Sequence, residues 1–188
     1  MAGSLVLVDE YTVSGTPAAI TIGGGSSGSS SYNYAMDTTY NVYMLVITGL
    51  TVSADDAPLM RVTKSGTSQE DANYDEAKEY LKADTTFSTI AAAGQTKIDC
   101  MATIDSGISA GGGNGTYYLF NFPNASEYSF VTIEGAHFQA SDDTVRGFQG
   151  GFVHTVASAS DGLRIGVNNW TSGSTLTGGN FKLFGIGK

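Results

Sequence analysis

Residues 40–52 read YNVYMLVITGLTV. In an extended chain successive side chains point to opposite sides, so Tyr40, Val42, Met44, Val46, Leu50 and Val52 share one face. Tyr43, Leu45 and Ile47 take the other. The density of β-branched and aromatic residues marks a strand. A strand with one wet face alternates apolar with polar side chains; this one is expected to be covered on both faces, by a short helix expected over residues 70–82 or by another subunit.

Working outward, the apolar residues come in short runs punctuated by Gly, Ser, Asn and Asp. Strands are expected near residues 5–13, 17–22, 40–52, 58–64, 96–104, 115–122, 127–138, 147–157, 161–167 and 180–186. Such a series of short strands reads as a sandwich or barrel. Ser160-Asp161-Gly162, between Thr155-Val156 and Leu163-Arg164-Ile165, has the chemistry of a hairpin turn. One segment departs from the pattern. Over residues 70–82, Tyr74, Ala77, Tyr80 and Leu81 recur at helical spacing while Glu76, Lys78 and Glu79 can face water, and Ser68 offers an N-cap. A short helix covering a sheet edge is expected there.

The length, 188 residues, suits one domain spanning 1–188, and 41% hydrophobic content suffices for a core. Cys100 is the only cysteine, which excludes a disulfide framework. Charged residues make up 14% of the chain, against roughly 25% in an ordinary soluble domain. Acids outnumber bases 18 to 9, with no Lys or Arg before Arg61, which argues against nucleic acid as a partner. The same charge gap, with Asp9 and Glu10 following the short apolar run Leu5 to Val8, gives no expectation of a secretory signal. Val42 to Ile47 is far shorter than the roughly 18 apolar residues of a membrane span, so no membrane is expected either.

Motifs with chemistry are sparse. Gly24-Gly25-Ser26-Ser27-Gly28 matches a nucleophile elbow in letters, inside a Gly/Ser tract that lacks the strand-turn-helix context. His137 and His154 sit within expected strands, without a third ligand at metal spacing, and are expected as hydrogen-bonded structural residues. The pairs Asp9-Glu10, Asp55-Asp56 and Asp142-Asp143 read as turn acids; they lack both the spacing of a calcium loop and the cleft that glycoside hydrolysis needs. Ten Tyr, nine Phe and Trp170 exceed what a small core can hide. Tyr32, Tyr34, Tyr117, Tyr118 and Trp170 lie in or beside expected loops, where aromatics serve interfaces or stack on sugars. The expected interface residues are Tyr32, Tyr34, Tyr43, Leu45, Ile47 and Trp170.

Several segments resemble small virion structural proteins of tailed bacteriophages, especially marine ones. They are residues 1–8 (MAGSLVLV), 39–47 (TYNVYMLVI), 118–128 (YLFNFPNASEY), Gly150-Gly151 with 154–162 (HTVASASDG), and 179–186 (GNFKLFGI). The resemblance implies an all-β, antiparallel, jelly-roll-like sandwich that assembles as a homotrimer. It further implies a non-enzymatic role with no cofactor and no metal, as a head decoration (cement) protein bridging capsid subunits. A tail-fibre or appendage module binding a host receptor or glycan is the alternative. Expected partners are copies of the chain and phage capsid or tail proteins, and the expected location is the virion, assembled in the bacterial cytoplasm. Eight of the 18 acids lie between Asp55 and Asp84, and that segment is expected to face solvent.

Overall fold

The computed structural model describes residues 4–24, 35–84, 86–107, 112–140, 143–167 and 173–187. In it the decisive stretch is the strand Val42–Val52, whose alternation holds only as far as Ile47. Gly49 then adopts φ of 62°, in the left-handed region that glycine enters freely, and the pairing register slips between Ile47 and Leu50. This bulge reverses the parity. Leu50 and Val52 turn inward beside Tyr43, Leu45 and Ile47, all at most 4% exposed, while Val42, Met44 and Val46 look outward and are half-buried. The single apolar face expected to run from Tyr40 through Val52 is therefore corrected: the strand changes sides at a glycine.

The described strands are β1 (Leu5–Thr12), β2 (Ala19–Gly23), β3 (Val42–Val52), β4 (Leu59–Lys64), β5 (Thr67–Ser68), β6 (Tyr74–Lys82), β7 (Phe87–Gln95), β8 (Ile98–Asp99), β9 (Gly113–Phe120), β10 (Ser129–Gln139), β11 (Thr144–His154), β12 (Gly162–Gly166) and β13 (Leu176–Ile186). They form two antiparallel sheets: β1-β13-β3-β9-β10-β11-β6-β7, and β2-β12-β4 with β5 and β8 both on the outer edge of β4. Within these lies the winding of a jelly roll. Strands β1, β13, β3 and β9 make one half and β2, β12, β4 and β8 the other, the chain crossing between halves as two Greek keys require. The hairpins β6-β7 and β10-β11 interrupt this order and extend the first sheet to eight strands.

Leu45, Ile47, Tyr117, Leu119 and Leu183 of the large sheet meet Ile22, Met60, Val62, Leu163 and Ile165 of the small one in a single core cluster. Burying such side chains stabilises by about 1.5–3 kcal/mol each. Two tyrosine hydroxyls brace the fold, Tyr74 across the two sheets and Tyr43 to the loop that precedes its own strand. Tyr74 Oη accepts from Val62 N at 3.1 Å and donates to Gln69 O at 2.9 Å; Tyr43 Oη donates to Asp37 O at 2.7 Å and accepts from Asp37 N at 2.8 Å.

The helix expected over residues 70–82 is instead strand β6, paired on both sides with β11 and β7. Tyr74, Ala77 and Leu81 fit a helical period, but Tyr74 and Tyr80, six residues apart, fit alternation. What alternation alone could not foresee is that Glu76 and Lys78, on the same inward face, are buried together as an ion pair at 2.7 Å. Charge on the buried face disguised the strand. The hairpin expected at Ser160-Asp161-Gly162 is also corrected, because this segment carries the chain from β11 in the large sheet to β12 in the small one. Asp161 anchors the crossing: its carboxylate accepts from Thr63 Oγ1 at 2.7 Å and Gly66 N at 3.0 Å, and its carbonyl accepts from Gly24 N and Met36 N. Strand β7, FSTIAAAGQ, lies where no strand was expected; its alanines give it little apolar signal.

Candidate functional site

The outer face of the eight-stranded sheet, turned away from the core, carries a wide, open concavity. Register places side chains there in rows that run across strands about 4.8 Å apart. One row is Val46, Thr116, Glu134, Gln149, Glu79 and Thr89, on β3, β9, β10, β11, β6 and β7 in turn. The next is Met44, Tyr118, Thr132, Gly151, Ala77 and Ala91. Because Gly151, Ala77 and Ala91 are small, the surface sinks alongside the polar row, with the Tyr118 ring in the same row as these small residues. The result is an open groove of about 720 Å³. A second depression of about 500 Å³ adjoins it and shares Thr116, Glu134 and Gln149. Five consecutive strands thus present hydrogen-bonding side chains in one line, with an aromatic ring beside it.

Close by, the same face turns apolar. Phe87 and Leu81 are cross-strand partners, 68% and 40% exposed, and Val145 is 51% exposed. Phe87 opens β7, which among the described residues pairs only with β6 and has its other edge bare. This edge strand contains no charged residue and no proline in nine positions. Natural sheets blunt such edges with charge, proline, bulges or shortness. Strand β2, the five-residue edge of the small sheet, is uncharged as well, but the remaining edges have these devices. Strand β1 carries Asp9, Glu10 and a bulge between Leu7 and Asp9, while β5 and β8 are two residues long. On β7 the register slips only near its end, where Gly94 has φ of 63°.

Inside the sheet extension sits a second group of polar side chains. The Lys78 ammonium, 1% exposed, pairs with Glu76 and donates to the carbonyl of Asp99. Burial pushes the Asp99 carboxyl upward, with the neighbouring Glu76 adding to the rise and Lys78 opposing it. Burial likewise raises the Tyr80 hydroxyl and the Cys100 thiol, which leaves Cys100 protonated and unreactive. His137 and His154 are 3% and 1% exposed, each held down to about 4 chiefly by burial. His137 Nε2 lies 3.3 Å from Gln139 Oε1 and its ring packs against Phe148; His154 packs against Tyr74. Neutral, enclosed imidazoles of this kind serve packing.

The expected interface residues divide. Tyr43, Leu45 and Ile47 are fully inside the core of a single chain, so they offer no surface to a partner; the outward side chains of their strand are Val42, Met44 and Val46. Tyr32, Tyr34 and Trp170 lie outside the described residues, as do Ser26 and Ser27 of the elbow-like motif and Asp142. Tyr117 is buried and Tyr118 stands on the groove. The acid pairs act as local acceptors. Asp9 receives Gly23 N at 2.7 Å and Glu10 N at 2.9 Å, and Asp55 receives Ser106 N and Oγ, which hold its carboxyl low. The acidic segment between Asp55 and Asp84 faces solvent only in part, since Glu76 is enclosed with Lys78.

Sequence reasoning missed Glu79, Thr89, Thr116, Thr132, Glu134 and Gln149 because they come from five strands and meet only through register. The available signal was local: the polar members of Thr116/Tyr118 and Thr132/Glu134 are the alternate positions of half-buried strands. In comparisons with protein-family models, curated proteins and solved structures, nothing matches this chain.

Proposed function

We propose that the chain is a non-enzymatic structural protein of a tailed-phage virion, a head decoration protein that bridges capsid subunits as a homo-oligomer. The observation that carries this reading is the bare, uncharged edge of β7. A nine-residue row of backbone donors and acceptors, with Phe87 exposed at its start, can be continued by another strand at almost no desolvation cost to charged groups. A trimeric ring requires each copy to offer its neighbour a second, different edge. Strand β1, at the opposite end of the same sheet, offers one in its first residues, where Leu5 and Val6 are exposed ahead of the bulge and the acids that blunt the rest of that edge. Many copies joined this way bind a shell by multivalency, each through a modest contact.

Quantitative mass spectrometry of purified virions tests the assignment. A copy number on the scale of the major shell protein is expected; a handful of copies per particle would move the protein to the tail. The tail-appendage reading, a module that holds a host glycan, is favoured by the polar groove on the outer face.

A further inference from the structure

We propose that the groove on the outer face of the eight-stranded sheet is a binding site for a neutral polysaccharide. Its chemistry fits hydroxyl-rich chains. Glu134, Gln149 and Glu79 are successive cross-strand partners, so carboxylate, amide and carboxylate follow one another across three strands, flanked by the hydroxyls of Thr116 and Thr89. Carboxylates accept hydrogen bonds from sugar hydroxyls, and an amide both donates and accepts. Over five strands this line spans about 19 Å at the usual strand spacing, the footprint of a short oligosaccharide lying flat. Tyr118 supplies the apolar ring face against which the C–H side of a pyranose stacks, with its hydroxyl as a polar tip. Ala77, Ala91 and Gly150 line the floor beside it and leave room for a sugar ring.

The composition of the groove argues against the other occupants. Protein interfaces are enriched at their centres in aromatics, Met and Arg and depleted in Glu, Ser and Ala; the outward side chains of this groove are Thr, Glu, Gln and Ala with a single aromatic, while Ile90 and Ile133 of its lining belong to the core side. The apolar patch that would suit a protein lies beyond it, at Leu81, Phe87 and Val145. Anionic chains, whether nucleic acid or uronate-rich polysaccharide, would meet Glu79 and Glu134, while the one ammonium on the lining, that of Lys78, is turned inward to Glu76. A neutral glycan is the remaining class. The inference is independent of where on the particle the protein sits.

Affinity electrophoresis of the full chain, through native gels containing dextran, xylan or galactomannan, with alginate as the anionic comparison, tests it. At least one neutral polysaccharide should retard the protein, and Tyr118→Ala should weaken that retardation about tenfold, the cost of one lost contact of ordinary strength. Gln149→Ala, at an exposed position that folding does not use, should weaken it too, whereas Glu127→Gln outside the groove should migrate as the parent does. The proposal is overturned if none of the three neutral polymers retards the chain, if alginate alone does, or if both groove variants bind like the parent. Virion copy number does not enter this result, so the decoration reading can fail while the glycan site stands, and the reverse.

Discussion

Lys78 shows how one residue can be misread when its partner is remote. Its ammonium is enclosed with the Glu76 carboxylate and the Asp99 carbonyl, and stranding either charge is expensive. Lys78→Met should destabilise the fold by about 3–5 kcal/mol, because Glu76 is then buried without compensation. The double change Lys78→Met with Glu76→Leu should recover most of that loss, as hydrophobic replacement of a whole buried pair is often neutral or better. Urea unfolding of the three proteins decides it; a single variant as stable as the parent would show the pair to be hydrated. Gly49 is the second residue on which a reading turns. A helical or strand period can be counted from letters, but the bulge that moves Leu50 and Val52 to the core depends on one glycine at positive φ and on the partner strand opposite.

At the scale of elements, most strands were legible because their apolar residues are β-branched or aromatic and sit between turn residues. Strands β1 to β4 and β9 to β13 lie where alternation places them, within a few residues. Strands β6 and β7 escaped for opposite reasons: β6 hides two charges on its buried face, and β7 has too little apolar weight. Their pairing with each other and with β11 decides their state, since tertiary partners override weak local preference. The bareness of β7 has a testable consequence. Ala91→Lys places a charge at the middle of this exposed edge, where it should block strand addition while leaving the monomer intact. Light scattering should show the parent as an oligomer and the variant as a monomer with an unchanged thermal midpoint. A variant that remains oligomeric would remove β7 from the contact.

The whole molecule responds to acid through its two enclosed histidines. Both are neutral in the fold, held to about 4 against an ordinary 6.5. The unfolded chain therefore binds more protons between those values. Their contribution to stability is complete above about 6.5 and is lost as pH falls towards 4. Arg146 near His137 and Lys64 near His154 push the same way as burial, whereas Gln139 and Asp71 oppose it. Asp99, whose carboxyl is raised, works in the opposite sense from its ordinary 3.8 upward and offsets part of the loss at the acid end. Denaturant midpoints should drop between pH 7 and pH 4.5, and replacing both histidines with Gln should flatten that slope; an unchanged slope would place the acid response elsewhere.

The sequence by itself determined that this is an all-β chain with a core of short strands, no disulfides and little charge, because alternation, β-branching and cysteine count are local properties. Only the tertiary structure decided which sheet each strand joins, that residues 74–82 pair as a strand instead of coiling, and that Tyr43, Leu45 and Ile47 belong to the chain's own core. It alone gathered Glu79, Thr116, Tyr118, Glu134 and Gln149 into one groove. The physical reason is that cross-strand neighbours are set by register between segments far apart in the chain, 70 positions for Glu79 and Gln149 and 181 for Leu5 and Ile186, and no local pattern of side chains encodes that pairing.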